Sequence, residues 1–106
     1  SEDKRAIGFV IRADHSCALQ TFGQRGQQWV PLREEVGFCN ELQKGQLAQI
    51  SIGCQKSKNL CKGILANKEK VVLENAGIKQ GTWFYALGCL NGACTFVPGS
   101  LNNASN

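Results

Sequence analysis

Hydrophobic and polar residues alternate along much of this chain with a period of two, the pattern typical of β-strands. The alternation is clearest at residues 6–12 and 48–54, where the apolar side chains would share one face of each strand. At residues 82–89 both alternating sets are apolar, which predicts a central strand covered on both faces. Further short strands are predicted at residues 16–22, 28–30, 61–66 and 71–74, with a turn at 23–26 and a polar loop at 55–60.

One segment, residues 31–44, departs from this period and is predicted to be a helix. Its apolar residues recur at i, i+4, i+7 and i+10 and would form one helical stripe: Leu32, Val36, Cys39 and Leu42. Pro31 suits the first helical position, and Gly45 suits the end of the helix. The predicted fold is therefore mainly β, with about six to eight short strands and one helix, as a small Greek-key or OB-like barrel or as a sandwich. Residues 1–101 would form a single domain, followed by a polar C-terminal tail at 102–106.

The six cysteines and the lack of methionine indicate the compartment. An even number of cysteines can close three disulfides with no thiol left over. Structural zinc usually takes two closely spaced ligand pairs, whereas the closest cysteines here have four and six residues between them and the chain has one histidine. We therefore predict disulfides and no metal. The missing methionine also predicts that a secretory signal peptide has been removed and that the protein is extracellular or periplasmic.

The cysteine pairing is predicted from local geometry. Asn91 and Gly92 are the preferred pair for a two-residue type I′ hairpin, which would place the cysteines on either side of it within bridging distance. A second pair flanks a short loop, and the third takes the two cysteines that remain. The predicted bridges are Cys89–Cys94, Cys54–Cys61 and Cys17–Cys39. Six cysteines allow 15 pairings, so other sets stay open.

The chain contains no constellation typical of catalysis. His15 lies beside Asp14 and two residues before Cys17, but a Cys–His nucleophile needs a free thiol, and the even cysteine count predicts none. Glu34 and Glu35 are adjacent, so on a helix they would point about 100° apart and make poor paired carboxylates. We therefore predict that the protein is not an enzyme and uses no cofactor, with a small secreted hydrolase as an alternative.

The positive charge is concentrated in one quarter of the chain. Residues 55–80 contain six lysines and two glutamates, which accounts for the whole net charge of +4 because the charges elsewhere cancel. Such a segment either forms a lysine-rich strand edge that prevents aggregation, the interpretation that we favour, or binds anionic partners. Candidate ligand-binding residues here are Lys56, Lys58 and Lys62. No aromatic residue lies among these lysines, so no nucleic-acid partner is predicted, and no apolar run is long enough to predict a membrane span.

A second candidate surface combines aromatic and amide side chains. Sugars bind proteins by stacking on aromatic rings and by hydrogen-bonding to amides. Trp29 lies beside the amides of Gln27 and Gln28, and these three residues are candidates for ligand binding. Trp83 and Tyr85 are the other large rings, and their place in the predicted central strand puts them in the core.

Three stretches resemble the pentameric B subunits of pertussis-like bacterial toxins, which have an OB fold. Residues 29–34 look like the entry to that family's helix, and residues 45–52 are similar to the strand that follows it. The third stretch is the closing pair, Cys89 and Cys94. The resemblance implies a ring of five subunits that binds cell-surface glycans and carries a separate catalytic chain.

These features predict a secreted binding module that recognises host cell-surface molecules such as glycans. The expected partner is a host-surface glycan or protein, and the toxin-like interpretation adds assembly into a homo-pentamer. The alternative is a small cysteine-rich effector or inhibitor of a microbe, which would bind a host protein.

Overall fold

The computed structural model describes residues 4–43, 45–46 and 48–88. In these ranges the chain forms two β-sheets and one short 3-10 turn, Lys56–Lys58, so the mainly β fold class is confirmed. The strands are β1 (Arg5–Ile11), β2 (Ser16–Arg25), β3 (Gln28–Phe38), β4 (Ile50–Gln55), β5 (Leu60–Leu65), β6 (Lys68–Glu74) and β7 (Trp83–Gly88).

The first sheet contains four of the described strands, in the order β3-β2-β1-β7. β1, β2 and β3 form an antiparallel meander, and β7 returns to pair with β1 in parallel. The meander turns at Gly26 and Gln27, three residues later than the predicted turn begins, because β2 extends as far as Arg25. Gly26 has a φ of 65°, a conformation that glycine adopts without a steric penalty.

The second sheet is an antiparallel meander of β4, β5 and β6. The 3-10 turn joins β4 to β5, and Asn59 ends it in the left-handed region with a φ of 51°. Ala66 and Asn67 join β5 to β6, and both have positive φ, as a type I′ hairpin requires. Asn59 also fastens the following loop, because its side-chain oxygen accepts a hydrogen bond from the Gly77 N–H at 2.8 Å.

The core lies between the two sheets. In β1 the predicted inward face is confirmed, because Ile7, Phe9 and Ile11 are almost completely buried. The second sheet contributes a matching set from alternate positions: Ile52, Cys54, Cys61, Leu65, Val71 and Leu73. Where the sheets approach closely, a β-carbon at Gly63 would lie 2.7 Å from a ring carbon of Phe9. Glycine is therefore needed at that position.

The predicted helix at residues 31–44 is wrong. Most of this segment belongs to β3, which pairs with β2 from Arg25 opposite Gln28 to Ser16 opposite Phe38. The spacing between Leu32 and Val36 is four, which fits a strand as well as a helix, and the two-residue turn allows pairing to extend directly from the hairpin. Pro31 fits because β3 is an edge strand of the described sheet, where proline is tolerated.

A β-bulge interrupts the pairing of β2 with β3. The register shifts between Thr21 and Phe22, which pair with Arg33 and Pro31, so Leu32 is the extra residue. The hydroxyl of Thr21 accepts a hydrogen bond from the Arg33 N–H at 3.2 Å, which provides a partner for the backbone at the irregularity. Bulges of this kind bend an edge strand and disfavour the addition of another strand.

Two disulfides bind the described elements together. Cys17–Cys39 connects β2 to the residue after β3, and Cys54–Cys61 connects directly opposed positions of β4 and β5. Both pairings are those predicted from the sequence. The third predicted bridge, Cys89–Cys94, lies outside the described residues, as does the polar tail. Within residues 4–43, 45–46 and 48–88, no helix is long and apolar enough to cross a membrane.

Candidate functional site

The first sheet has an outer face, directed away from the core, that is unusually apolar. Because side chains alternate along β1, the burial of Ile7 and Phe9 places Ala6 and Gly8 on the outer face. These two small residues leave room above the centre of the sheet. Large rings from the neighbouring strands occupy that space.

The strand register determines which rings meet there. Ala6 lies between Phe22 of β2 and Trp83 of β7, and the next outer position, Gly8, lies beside Tyr85. Trp29 comes from β3, where it pairs with Gln24, two residues beyond Phe22 on β2. Three elements therefore deliver aromatic side chains to one end of one sheet face.

Trp29 and Trp83 meet across the sheet. Their strands are separated by two others, which places their backbones about 14 Å apart at the usual strand spacing. The ring centroids are nevertheless only 6.1 Å apart, with an angle of 44° between the ring planes. The two side chains therefore reach towards each other across β2 and β1. Exposed fractions of 38% for Trp29 and 62% for Trp83 show that much of each side chain still faces solvent.

The rings enclose an open groove with a volume of about 340 Å³. We call it the aromatic groove, and its lining residues are Ala6, Phe22, Trp29, Trp83, Phe84 and Tyr85. Every lining side chain is predominantly apolar. The tilt between the two indoles presents two ring faces at different angles, which suits a ligand with apolar faces of its own.

Tyr85 lines the aromatic groove and packs on the outer face of β1. Its ring lies directly against Gly8, where a β-carbon would overlap the ring atoms. Partial burial raises the pKa of the Tyr85 hydroxyl above its usual value, because the charged form is less well solvated there. A tyrosine hydroxyl is protonated at neutral pH even at its ordinary pKa of 10.0, so Tyr85 has a proton to donate in a hydrogen bond.

Amide side chains border the aromatic groove. Gln24 pairs with Trp29, and Gln20 pairs with Gly8, so both lie on the outer face by alternation along β2. Gln27 lies in the turn and Gln28 opens β3 directly before Trp29. The structure thus keeps the predicted candidates Trp29, Gln27 and Gln28 together at one end of the first sheet.

The lysine candidates lie elsewhere. Lys56 and Lys58 belong to the 3-10 turn between β4 and β5, and Lys62 lies in β5 of the second sheet. Lys62 forms an ion pair with Glu69 at 2.7 Å, so its charge is offset locally. These three lysines and the aromatic groove therefore do not form a single site.

Two further lysines fit the edge interpretation of the charged segment. Lys68 and Lys70 lie in β6, at one edge of the described second sheet. Lys70 forms an ion pair with Glu41, which fastens the loop after β3 to β6. The same contact lowers the pKa of the Glu41 carboxyl, because the hydrogen bond favours its charged form.

The prediction that Trp83 and Tyr85 are core residues is wrong. β7 lies at an end of the described first sheet rather than at its centre, and both side chains project from the outer face. Residues on both faces of β7 are apolar, so the sequence of this strand does not show which face is buried. The signal that could have done so lies in β1, where Ala6 and Gly8 leave space for rings on the face opposite Ile7.

The turn between β1 and β2 contains the residues considered for catalysis. Asp14 accepts hydrogen bonds from the backbone N–H and the hydroxyl of Ser16, at 2.9 and 2.7 Å. These bonds lower the pKa of the Asp14 carboxyl. Cys17 is bonded to Cys39, so it is not a free thiol near His15. In the part of the chain that the structure describes, no three His, Cys, Asp or Glu side chains are grouped for metal binding.

Comparisons with known proteins found no matching family model, no matching curated protein and no matching solved structure.

Proposed function

We propose that this protein is a secreted, non-enzymatic binding module whose aromatic groove recognises glycans of a cell surface. The observation that carries the proposal is the contact between Trp29 and Trp83 on the outer face of the first sheet, where both rings remain partly exposed. Disulfides are typical of proteins that work outside the reducing cytosol, which supports an extracellular location.

The chemistry of the aromatic groove supports a sugar ligand. A pyranose ring has apolar C–H faces that stack on indole rings and hydroxyls that bond to amides. The groove offers both partners, with the rings of Trp29 and Trp83 at its walls and the amides of Gln20 and Gln24 beside it on the outer face. Because the exposed rings are already gathered in one place, little ordering of side chains opposes binding.

The test is glycan-array binding followed by calorimetry on the strongest ligand, comparing the wild-type chain with Trp29→Ala and Trp83→Ala. Each change removes one wall of the groove, and we expect each to weaken binding by about tenfold or more, as truncation of a central aromatic anchor does. Both residues lie at the surface, so circular dichroism should show the wild-type fold.

Phe38→Ala provides the matched control. Phe38 is also on β3 and is 68% exposed, but it lies at the other end of the strand from Trp29. Glycan binding should survive this change. If Trp29→Ala and Trp83→Ala left glycan affinity at the wild-type value, the proposal would be wrong.

A second candidate function is binding to a host protein, as in a secreted effector or inhibitor. It is favoured by Val36 and Phe38, which are exposed on the same strand as Trp29 and extend the apolar surface beyond a groove of sugar size. Loss of host-protein binding in Phe38→Ala, together with silence on the glycan array, would select this candidate instead.

The toxin-like form of the proposal also includes assembly into a ring. Native mass spectrometry of the purified chain measures this directly. A pentamer would support the relation to toxin B subunits, whereas a monomer at micromolar concentration would remove it and leave the glycan-binding proposal intact.

A further inference from the structure

The charge at the end of the aromatic groove indicates which kind of saccharide it takes. The carbonyl of Lys4 accepts a hydrogen bond from the Gln24 N–H at 3.0 Å, which extends the pairing of β1 and β2 by one position. Alternation along β1 then places Lys4 on the same face as Ala6 and Gly8. Since Gln24 pairs with Trp29, Lys4 lies in the same cross-strand row as one wall of the groove.

Lys4 is exposed and forms no ion pair with a carboxylate of the described residues. The carboxylates of the first sheet are placed differently. Glu34 is opposite Gln20 and forms an ion pair with Arg12 at 3.2 Å, and Asp14 lies in the turn at the other end of the β1–β2 hairpin.

An exposed ammonium group on the same face and in the same cross-strand row as Trp29 favours a negatively charged ligand. The ammonium donates charge-assisted hydrogen bonds, which are stronger than those between neutral groups. The rings and amides provide contacts that do not depend on charge. A saccharide that bears a carboxylate or a sulfate complements both parts at once.

We infer that the aromatic groove binds an acidic saccharide, whose sugar ring stacks on the exposed faces of Trp29 and Trp83 while its negative group contacts Lys4. This inference rests on the proposed glycan-binding function and specifies its ligand. Carboxylated and sulfated sugars share the required chemistry, and the choice of probes separates them.

The experiment measures dissociation constants by calorimetry for three tetrasaccharides and one oligonucleotide. Keratan sulfate provides sulfate without carboxylate, its desulfated form is the matched neutral probe, and hyaluronan provides carboxylate without sulfate. Short oligothymidylate tests whether the aromatic groove instead binds a nucleic acid, whose bases stack on aromatic rings and whose phosphates are negatively charged. The wild-type chain is compared with Lys4→Gln, and with Lys58→Gln, which removes an exposed lysine in the 3-10 turn between β4 and β5.

We expect at least one acidic tetrasaccharide to bind more tightly than the neutral one. Lys4→Gln should reduce that preference by about two- to fivefold, in line with a solvent-exposed ion pair, and leave neutral binding unchanged. The preference should also fall as salt increases, because exposed charges are screened. Lys58→Gln should behave as the wild type.

Two acidic residues, Glu2 and Asp3, directly precede Lys4 in the sequence. Removing their negative charges provides a second test of whether charge near Lys4 affects ligand affinity. The double variant Glu2→Gln, Asp3→Asn should increase affinity for the acidic probe and not for the neutral one.

Equal affinity for neutral and acidic probes, or no effect of Lys4→Gln, would overturn the inference while leaving the glycan-binding proposal standing. If the wild-type chain bound none of the three tetrasaccharides, the inference would be wrong, and if the glycan array were also silent, the glycan-binding proposal would be wrong as well. Tighter binding to oligothymidylate than to any saccharide would replace the ligand class altogether.

Discussion

At the scale of single residues, the turn between β1 and β2 is held by hydrogen bonds between neighbouring side chains and backbone. His15 adopts a φ of 69° in the left-handed region, which is strained for a residue with a side chain. Asp14 stabilises this conformation by accepting two hydrogen bonds from Ser16, and these bonds exist in full only when its carboxyl is ionised. The turn should therefore weaken in acid.

The pH dependence has a definite sign. The hydroxyl bond from Ser16, followed by the backbone bond, lowers the pKa of Asp14 in the folded state from an ordinary value of 3.8. The unfolded chain thus binds a proton more readily, so the stabilisation by Asp14 is complete above pH 3.8 and is lost as the pH falls through the lowered value. We expect Asp14→Asn to lower the thermal midpoint at neutral pH and to flatten its fall towards about pH 2.

Glu35→Gln is the control for that experiment, since it removes an exposed carboxylate on β3 that forms no hydrogen bond among the described residues. Ser16→Ala should act in the same direction as Asp14→Asn by removing the bond that contributes most to the shift. An Asp14→Asn variant whose midpoint follows the wild-type pH profile would contradict this account.

At the scale of elements, the contact between the two sheets depends on glycine. Gly63 of β5 faces β1, and a β-carbon there would lie 2.7 Å from Phe9 and 2.8 Å from Val71. Both neighbours are fully or almost fully buried, so neither can move into solvent. The sheets pack at this distance because β5 has no side chain at the point of closest approach.

We expect Gly63→Ala to lower the free energy of unfolding by about 1–3 kcal/mol, the usual penalty for adding volume to a packed core. Urea denaturation measures it. Gly53→Ala is the matched control on the adjacent strand β4, because its β-carbon would make only an ordinary contact of 3.6 Å with Ile64. If Gly63→Ala were as stable as Gly53→Ala, the two sheets could move apart to accommodate a β-carbon without a decrease in the free energy of unfolding, and this explanation would be wrong.

At the scale of the whole molecule, the two described disulfides act at different ranges. Cys17–Cys39 joins residues 22 positions apart and ties the end of β3 back to the start of β2. Cys54–Cys61 joins residues 7 positions apart across a single hairpin. All four cysteines are buried in the core, so their replacement creates similar local defects.

In the chain-entropy description, the longer loop restricts the unfolded chain more, by about 3.4 kcal/mol against about 2.5 kcal/mol for the shorter one. We therefore expect Cys17→Ser with Cys39→Ser to destabilise the protein by about 1 kcal/mol more than Cys54→Ser with Cys61→Ser. Chemical denaturation of the two double variants compares them directly. Equal losses, or a larger loss for the short loop, would contradict the entropic explanation.

Local patterns in the sequence determined several of the strands and the Cys54–Cys61 pair. Period-two alternation found β1 and the inward face of β4, because a strand with one buried face must alternate. Cys54 and Cys61 paired as expected because a short loop between two strands brings them opposite each other. These features depend on residues close in sequence, where geometry leaves few alternatives.

Only the tertiary structure determined the secondary structure of residues 31–44 and the exposure of the aromatic rings in β7. A spacing of four between Leu32 and Val36 is compatible with helix and strand, and pairing with β2 selected the strand. Trp83 became a surface residue because β7 pairs with β1 at a distance in sequence that no local pattern records. The aromatic groove joins four strands, of which β7 is far from the others in the sequence, so it exists only once the sheet has formed.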